Sequence, residues 1–348
     1  LYGAGDSCDV TPSISVEAVG PLPTVNRPTD EYTMFSACGG IGSGQIAADH
    51  AGLKVKSIGM SDVDEERIAI YQKANPNVPV YGALGAVTAA LECGDLVLDP
   101  TILELTTPCQ AHSQCRVLAD WSHTAHPHAR LWDEQVKLIR LVMAPVVIIE
   151  NVPPWRNADG YGTEAQFERL KTKVEALGYN YVHTTLRCSL HGDRTQRVRY
   201  FAIATLKPLP PAVFPTGDKT LFKPWWDKLD SPKVVERKYR CRYHDGKSEY
   251  TRLAMRQSKD DGYMSKQWGR IVPKNAKEQA VYKAQKTDNP KGFRIFLPSN
   301  AHCCLTSYGN PTKVGPGRQT NFIFDRIGIR PLTVAEAAML HSMPPRII

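Results

Sequence analysis

Nowhere in the 348 residues does an apolar run approach the ~18 residues that a membrane-spanning helix requires. The longest, Leu141 to Ile149 (LVMAPVVII), suits a buried strand instead. The N-terminal stretch LYGAGDSCDV lacks both the basic region and the apolar core of a secretory signal. It also lacks an initiating methionine, which leads us to expect residues ahead of Leu1. No two cysteines stand at CxxC spacing, and the total of nine is odd, so neither a disulfide framework nor a zinc site is indicated. These absences point away from membrane, metal and secreted disulfide-rich classes, and towards a reduced, cytoplasmic-type compartment. No internal repeat stands out.

Hydrophobic residues make up 42% of the chain, ample for a packed core. The net charge of +8 is unevenly placed. Residues 206–300 carry 21 Lys plus Arg against 10 Asp plus Glu, while the rest carries 22 against 25. A basic segment beside a slightly acidic one suits a polyanion partner for one part only, although a solvated basic surface gives the same count.

The first half alternates short apolar runs with helix-length stretches, the pattern of a parallel sheet with crossover helices. Strands are expected over Glu31–Phe35, Lys54–Met60, Thr101–Leu105 and Pro145–Ile149. Helices are expected over Gln45–Gly52, Glu65–Ala74 and Phe167–Leu177. Thr184–Leu186 and Tyr200–Thr205 read as a late antiparallel pair. At Lys207-Pro-Leu-Pro-Pro the character changes to a basic, Pro- and Gly-broken stretch rich in Tyr and Trp, with little periodicity. Helical spacing returns at Thr333. The expected organisation is an N-terminal extension over 1–30, a first domain over 31–206, a smaller irregular domain over 207–321, and a last helix over 322–348 that returns to the first domain.

Four stretches and one lone acid carry chemistry. FSACGGIGSG follows a strand and opens a helix, so its glycines can let backbone approach a ligand at a helix N-terminus. Asp62, 18 residues after Gly44 and at the next strand end, can accept from ribose hydroxyls. A tight structural turn would need the same glycines. In TTPCQAHSQC, Pro108 ends the strand and leaves Cys109 at the sheet edge where ligands bind, either as a small hydrophobe or as a nucleophile. Glu150 begins ENVPP at another strand end, where a carboxyl can hold or deliver a proton or merely cap a helix. Arg197 and Arg199 alternate and share one strand face, suited to a polar base edge or phosphate, or to solvent.

Together, and in this order, these pieces resemble the cytosine-C5 methyltransferase family over about residues 32–345. FSACGGIGSG is similar to its glycine-rich cofactor motif, Asp62-Val63 to its ribose-binding acid and adenine-packing residue, and Gly94-Asp95-Leu96 to its next cofactor motif. Pro108-Cys109-Gln110, with Ser113, resembles the nucleophile loop. Glu150-Asn151-Val152 resembles its ENV motif and Arg197-Val-Arg199 its paired arginines. Arg330-Pro-Leu-Thr-Val-Ala-Glu336 resembles a late helix motif.

The resemblance implies an α/β fold: a Rossmann-like, S-adenosylmethionine-dependent methyltransferase sheet with helices on both faces, plus a smaller irregular target-recognition domain. It implies Cys109, Glu150, Arg197 and Arg199 as catalytic. It implies Phe35, Ser36, Ala37, Gly39, Gly40, Ile41, Asp62, Val63, Asp95, Leu96 and Pro108 around S-adenosylmethionine. Gln110, Ser113, Asn151 and Val152 would meet a cytosine flipped out of double-stranded DNA. The implied protein is a monomer without metal, working inside a cell beside DNA, in the cytoplasm of a bacterial- or phage-type system such as restriction–modification.

Ala37, His112 and Thr195 depart from the family's usual glycine, phenylalanine and glutamine, and its closing Gly-Asn motif has no counterpart before Ile348. A transfer-RNA methyltransferase is the nearest rival, but the 130 residues between Arg199 and Arg330 exceed the short region expected there. A DNA-binding protein on a weakened methyltransferase fold would explain the missing motif but not the intact Cys109 and Glu150. A nicotinamide dehydrogenase would explain only the glycine turn.

Overall fold

The computed structural model describes residues 32–109, 130–154, 163–222, 229–230, 267–270, 294–296, 322–325 and 328–340. The chain divides into Leu1–Glu31 and Tyr32–Ile348, and every described residue lies in the second unit.

The main element is a six-stranded sheet. In chain order it comprises β1 (Tyr32–Ala37), β2 (Val55–Ser61), β3 (Ile102–Leu105), β4 (Val146–Asn151), β5 (Asn180–Arg187) and β6 (Val198–Thr205). Its helices are α1 (Ser43–His50), α2 (Glu65–Ala74), α3 (Leu84–Cys93), α4 (Leu131–Val142) and α5 (Glu164–Glu175). The strand order is β2-β1-β3-β4-β6-β5, with the first four parallel and β6 antiparallel to both β4 and β5. The order reverses between β1 and β3. Parallel crossovers are right-handed as a rule, so crossovers running in opposite directions from that point put helices on both faces.

Residue pattern explains these elements. Met34 to Ala37 and Leu103 to Leu105 are buried without interruption, as expected for central parallel strands covered on both sides. Helix α4 turns Trp132, Gln135, Leu138 and Ile139 inward, and α5 turns Phe167, Leu170 and Val174 inward, both at helical spacing. Trp132, Phe167 and Tyr200 meet edge to face at 4.8 and 4.6 Å between ring centroids.

Two expectations need correction. The apolar run Leu141–Ile149 is not one strand: Leu141 and Val142 finish α4, Met143 turns at φ 50°, and β4 begins at Val146. Hydrophobicity alone does not separate a buried helix end from a buried strand start. The basic region is also less irregular than expected. Strands β7 (Gln267–Arg270), β8 (Arg294–Phe296), β9 (Phe322–Asp325) and β10 (Gly328–Pro331) form a second sheet of order β10-β9-β8-β7. Because β8 pairs with β9, this sheet continues past the boundary expected at residue 321.

Helix α6 (Val334–Leu340) starts with a capping box. Glu336 N–H donates to Thr333 Oγ1 at 3.1 Å, and Thr333 N–H donates to the Glu336 carboxylate at 2.8 Å. The same carboxylate accepts from Asp230 N–H at 2.9 Å, and Thr333 Oγ1 donates to Asp230 at 2.7 Å. The Thr and Glu of the LTVAE stretch thus tie this helix to the segment at Asp230, while Phe222, Leu332, Ala337 and Leu340 pack in a small core of their own.

Candidate active site

The strand ends that carry the conspicuous residues lie at one edge of the main sheet. β1 runs into the glycine turn, where Gly40 (φ 60°) and Gly42 (φ 83°) take left-handed backbone that favours glycine. The glycines have different reasons to be there. A Cβ at Gly39 would meet Met60 Cγ at 2.9 Å, one at Gly42 would meet Tyr71 Cδ2 at 2.7 Å, and one at Gly44 would fall on the Glu104 carboxyl. Above Gly40 the nearest atom is Arg67 Cδ at 3.9 Å. Gly40 is therefore the turn glycine with open space for a ligand, while the other three are backed by the protein itself.

Asp62 joins the turn to the end of β2. Its carboxylate accepts from Gly40 N–H at 2.8 Å, Val63 N–H at 2.8 Å and Asp64 N–H at 2.9 Å. Val63 beside it is 73% exposed, an uncovered apolar surface at the same edge. Bare backbone at Gly40, an anchored acid and an open apolar side chain fit a nucleoside-bearing cofactor. Phe35, Ser36 and Ala37, at the end of β1, are buried.

Asp95 and Leu96 do not belong here. Tyr81 N–H donates to Met60 O at 2.9 Å, so the segment reaching the site edge after β2 ends in Gly82-Ala83, which brings no carboxylate. Helix α3 then descends to Gly94, and Asp95 lies at the opposite edge, before Thr101 meets Thr33 at the start of β1. From Thr101 to Thr106 the strand climbs about 16 Å, so Asp95 is a strand's length from the site. A helix must cross back before the next parallel strand begins; sequence proximity to the strand concealed that.

Thr106 N–H donates to Ala37 O at 3.1 Å, and Thr106 Oγ1 donates to Cys38 O at 2.9 Å, setting the Cys109 loop beside the glycine turn. Next along the sheet, Glu150 ends β4. Arg199 Nε lies 3.0 Å and Arg197 Nη2 3.6 Å from the same Glu150 oxygen, so the expected shared face of the two arginines is occupied by this carboxylate. Cys109 lies within the field of all three. Burial pushes its thiol above the ordinary value, Arg199 pulls it down, Glu150 pushes it up and Arg197 pulls it down. The other thiol at this edge, Cys38, is pushed up to about 12 by burial and by Asp62. Of the two, only Cys109 has cations that favour a thiolate.

Asn151 and Val152 were expected to touch substrate, and both are buried. Asn151 Nδ2 donates to Thr107 O at 3.1 Å, and its Oδ1 accepts from Val152 N–H at 2.9 Å. Asn151 thus fastens the β4 end to the loop that presents Cys109. Pro108 and Ile41 are half-buried at this edge. Gln110, Ser113 and His112 lie outside the described residues. Two features escaped the sequence reading: Gly82-Ala83 and Glu104, a carboxylic acid in the otherwise apolar stretch Ile102-Leu-Glu-Leu105. That lone acid in a central strand was the available signal.

Residues 32–346 match the family model for C-5 cytosine-specific DNA methylase. The chain belongs to that family. S-adenosylmethionine is accordingly the methyl donor of this methylase. Among curated proteins none matches the methylase by sequence. Among solved structures, the Entamoeba histolytica methyltransferase EhMeth is similar, with a TM-score of 0.60 and 15% identity over 92% of this chain and 88% of the other. The S. pombe Dnmt2 methyltransferase gives 0.57 and 15%, again over 92% and 88%. An E. coli prophage-encoded putative DNA modification methyltransferase gives 0.50 and 17%, over 91% and 90%. At these identities the likeness concerns the fold. Among the described residues, no helix is long and apolar enough to cross a membrane, and no group of three or more His, Cys, Asp or Glu could hold a metal ion.

Proposed function

We propose that the methylase acts on DNA, transferring a methyl group to C5 of a cytosine through a covalent bond between Cys109 and C6. The observation that carries this reading is the convergence of Glu150, Arg199 and Arg197 in one ion-pair group whose field acts on Cys109. Cytosine C5 is a poor nucleophile. Addition of the Cys109 thiolate to C6 makes C5 enamine-like, while Glu150 holds the proton at N3 and Arg199 the O2 side. Arg197 shares the Glu150 carboxylate and keeps it oriented. Cys109 must lose its proton at the moment of attack, because burial outweighs the arginines at rest. When bound, S-adenosylmethionine supplies an electrophilic methyl group, and Gly40, Asp62 and Val63 are the residues that would hold it. Loss of the C5 proton then lets the Cys109–C6 bond break and returns the thiolate.

A base within a duplex cannot reach this edge, so it has to be flipped out at a cost of a few kcal/mol. We assign residues 31–206 to catalysis and cofactor binding, and the basic region from 207 onward to target recognition. Its 21 Lys plus Arg across residues 206–300 suit phosphate contacts. A setting such as restriction–modification is compatible with this activity.

The test is incubation with S-adenosylmethionine and duplex DNA carrying 5-fluorocytosine, beside a transfer RNA carrying the same base. Fluorine blocks loss from C5, so an adduct that survives denaturation is expected with DNA and should be absent in Cys109→Ser. An adduct on RNA alone would replace the DNA reading with the transfer-RNA one. An adduct formed by Cys109→Ser would remove Cys109 as the nucleophile.

A further inference from the structure

Glu104 is the one carboxylic acid in the central strand β3, and the mechanism above gives it no task. It is buried, and its carboxyl accepts from Ser36 Oγ at 2.6 Å. Ser36 is its register partner on β1, one residue before the end of the strand that leads into the glycine turn. On its other side the carboxyl fills the space that a Cβ at Gly44 would need, in the first turn of α1. One side chain thus touches both ends of the segment that contains Gly40: the strand entering the turn and the helix leaving it.

We propose that Glu104 is a positioning residue for the cofactor turn, its carboxyl seated between Ser36 and the Gly44 backbone so that α1 starts where Gly40 presents its open face. This rests on the reading of that edge as the S-adenosylmethionine site. Glu104 itself does not touch the cofactor. Gly44 and Glu104 form a matched pair, in which the glycine exists to admit the acid. The groups on other elements that act electrostatically with the carboxyl are Glu150 on β4, a like charge, and Tyr71 on α2, whose hydroxyl is bonded to Ser57 at 2.7 Å. Ser36 and Gly44, from β1 and α1, carry no charge. Burial comes first and Glu150 adds to it in raising the Glu104 carboxyl above its ordinary value of 4.5, with the Ser36 bond opposing. The acid is therefore suited to its place in neutral form, and glutamine should replace it.

The experiment measures S-adenosylmethionine affinity by titration calorimetry on the full chain, with thermal unfolding recorded for every variant. Gly44→Ala should weaken binding roughly tenfold or more, on the scale of an overpacking penalty. Glu104→Ser in the Gly44→Ala background should recover most of that loss, because it removes the obstructing carboxyl. Glu104→Gln should keep wild-type affinity, whereas Glu104→Leu, which cannot accept from Ser36, should lose it. A pH series supplies an independent readout. With the folded-state value raised, the stabilisation is fully present below 4.5 and is lost as pH rises towards the raised value. Wild type should therefore lose thermal stability relative to Glu104→Gln as pH rises above 4.5. Wild-type binding with no recovery in the double variant, or with full affinity in Glu104→Leu, would overturn the proposal alone. Absence of binding by folded wild type would overturn the reading of the edge and the proposal with it.

Discussion

Replacing Asn151 with alanine separates a structural fastener from a substrate contact. The side chain is 2% exposed, and its amide serves two backbone groups, the Thr107 carbonyl at 3.1 Å and the Val152 N–H at 2.9 Å. Removing it leaves one buried acceptor and one buried donor without that partner, each costing ~1–3 kcal/mol. Since the two groups are neighbours their costs need not add, and we expect a total of roughly 2–4 kcal/mol. In a chain of this size that corresponds to a fall in melting temperature of roughly 3–5 °C. The loop from Thr107 to Cys109 would also lose its tie to β4, so the 5-fluorocytosine adduct should form more slowly at a temperature where the variant is still folded. Calorimetric unfolding and a denaturing-gel time course measure the two effects. Asn151→Asp should not rescue either, because a carboxylate turned towards the Thr107 carbonyl has no proton to donate. An unchanged melting temperature with weakened DNA binding would refute the fastening role and restore Asn151 as a substrate contact.

Asp62→Ala should weaken S-adenosylmethionine binding by ~1–3 kcal/mol, the cost of leaving polar partners unpaired, whereas Asp95→Ala at the far edge should leave the titration curve unchanged. Equal losses from both would contradict the placement of Asp95. Arg199→Ala removes the stronger of the two cations that favour the Cys109 thiolate, so adduct formation should need higher pH than in wild type. A pH–rate profile that keeps its wild-type rise would show that Arg199 does not act on the thiol. Reversing charge at Lys238, Arg240 and Arg242 should flatten the salt dependence of DNA affinity, as fewer counterions are released, while cofactor affinity stays the same. An identical slope would place the phosphate contacts elsewhere.

The sequence by itself determined what depends on local order. Alternation of apolar runs and helical stretches set the parallel sheet, and the apolar runs ahead of Cys109 and Glu150 put both just beyond strand ends that share an edge. Arg197 and Arg199 joined them only through the family resemblance, because they enter the antiparallel strand β6. Local order does not say which edge a loop occupies. Asp95 stands only seven residues before Ile102, yet the α3 crossover leaves it at the wrong end of β3. Nor does it say what lies behind a glycine: Gly44 looked free for a ligand, and Glu104, 60 residues later, fills its space. Asn151 likewise looked like a substrate contact until β4 and the end of β3 came together. These assignments were decided by tertiary structure, because the partners are distant in sequence and meet only where strands pair and helices pack against them.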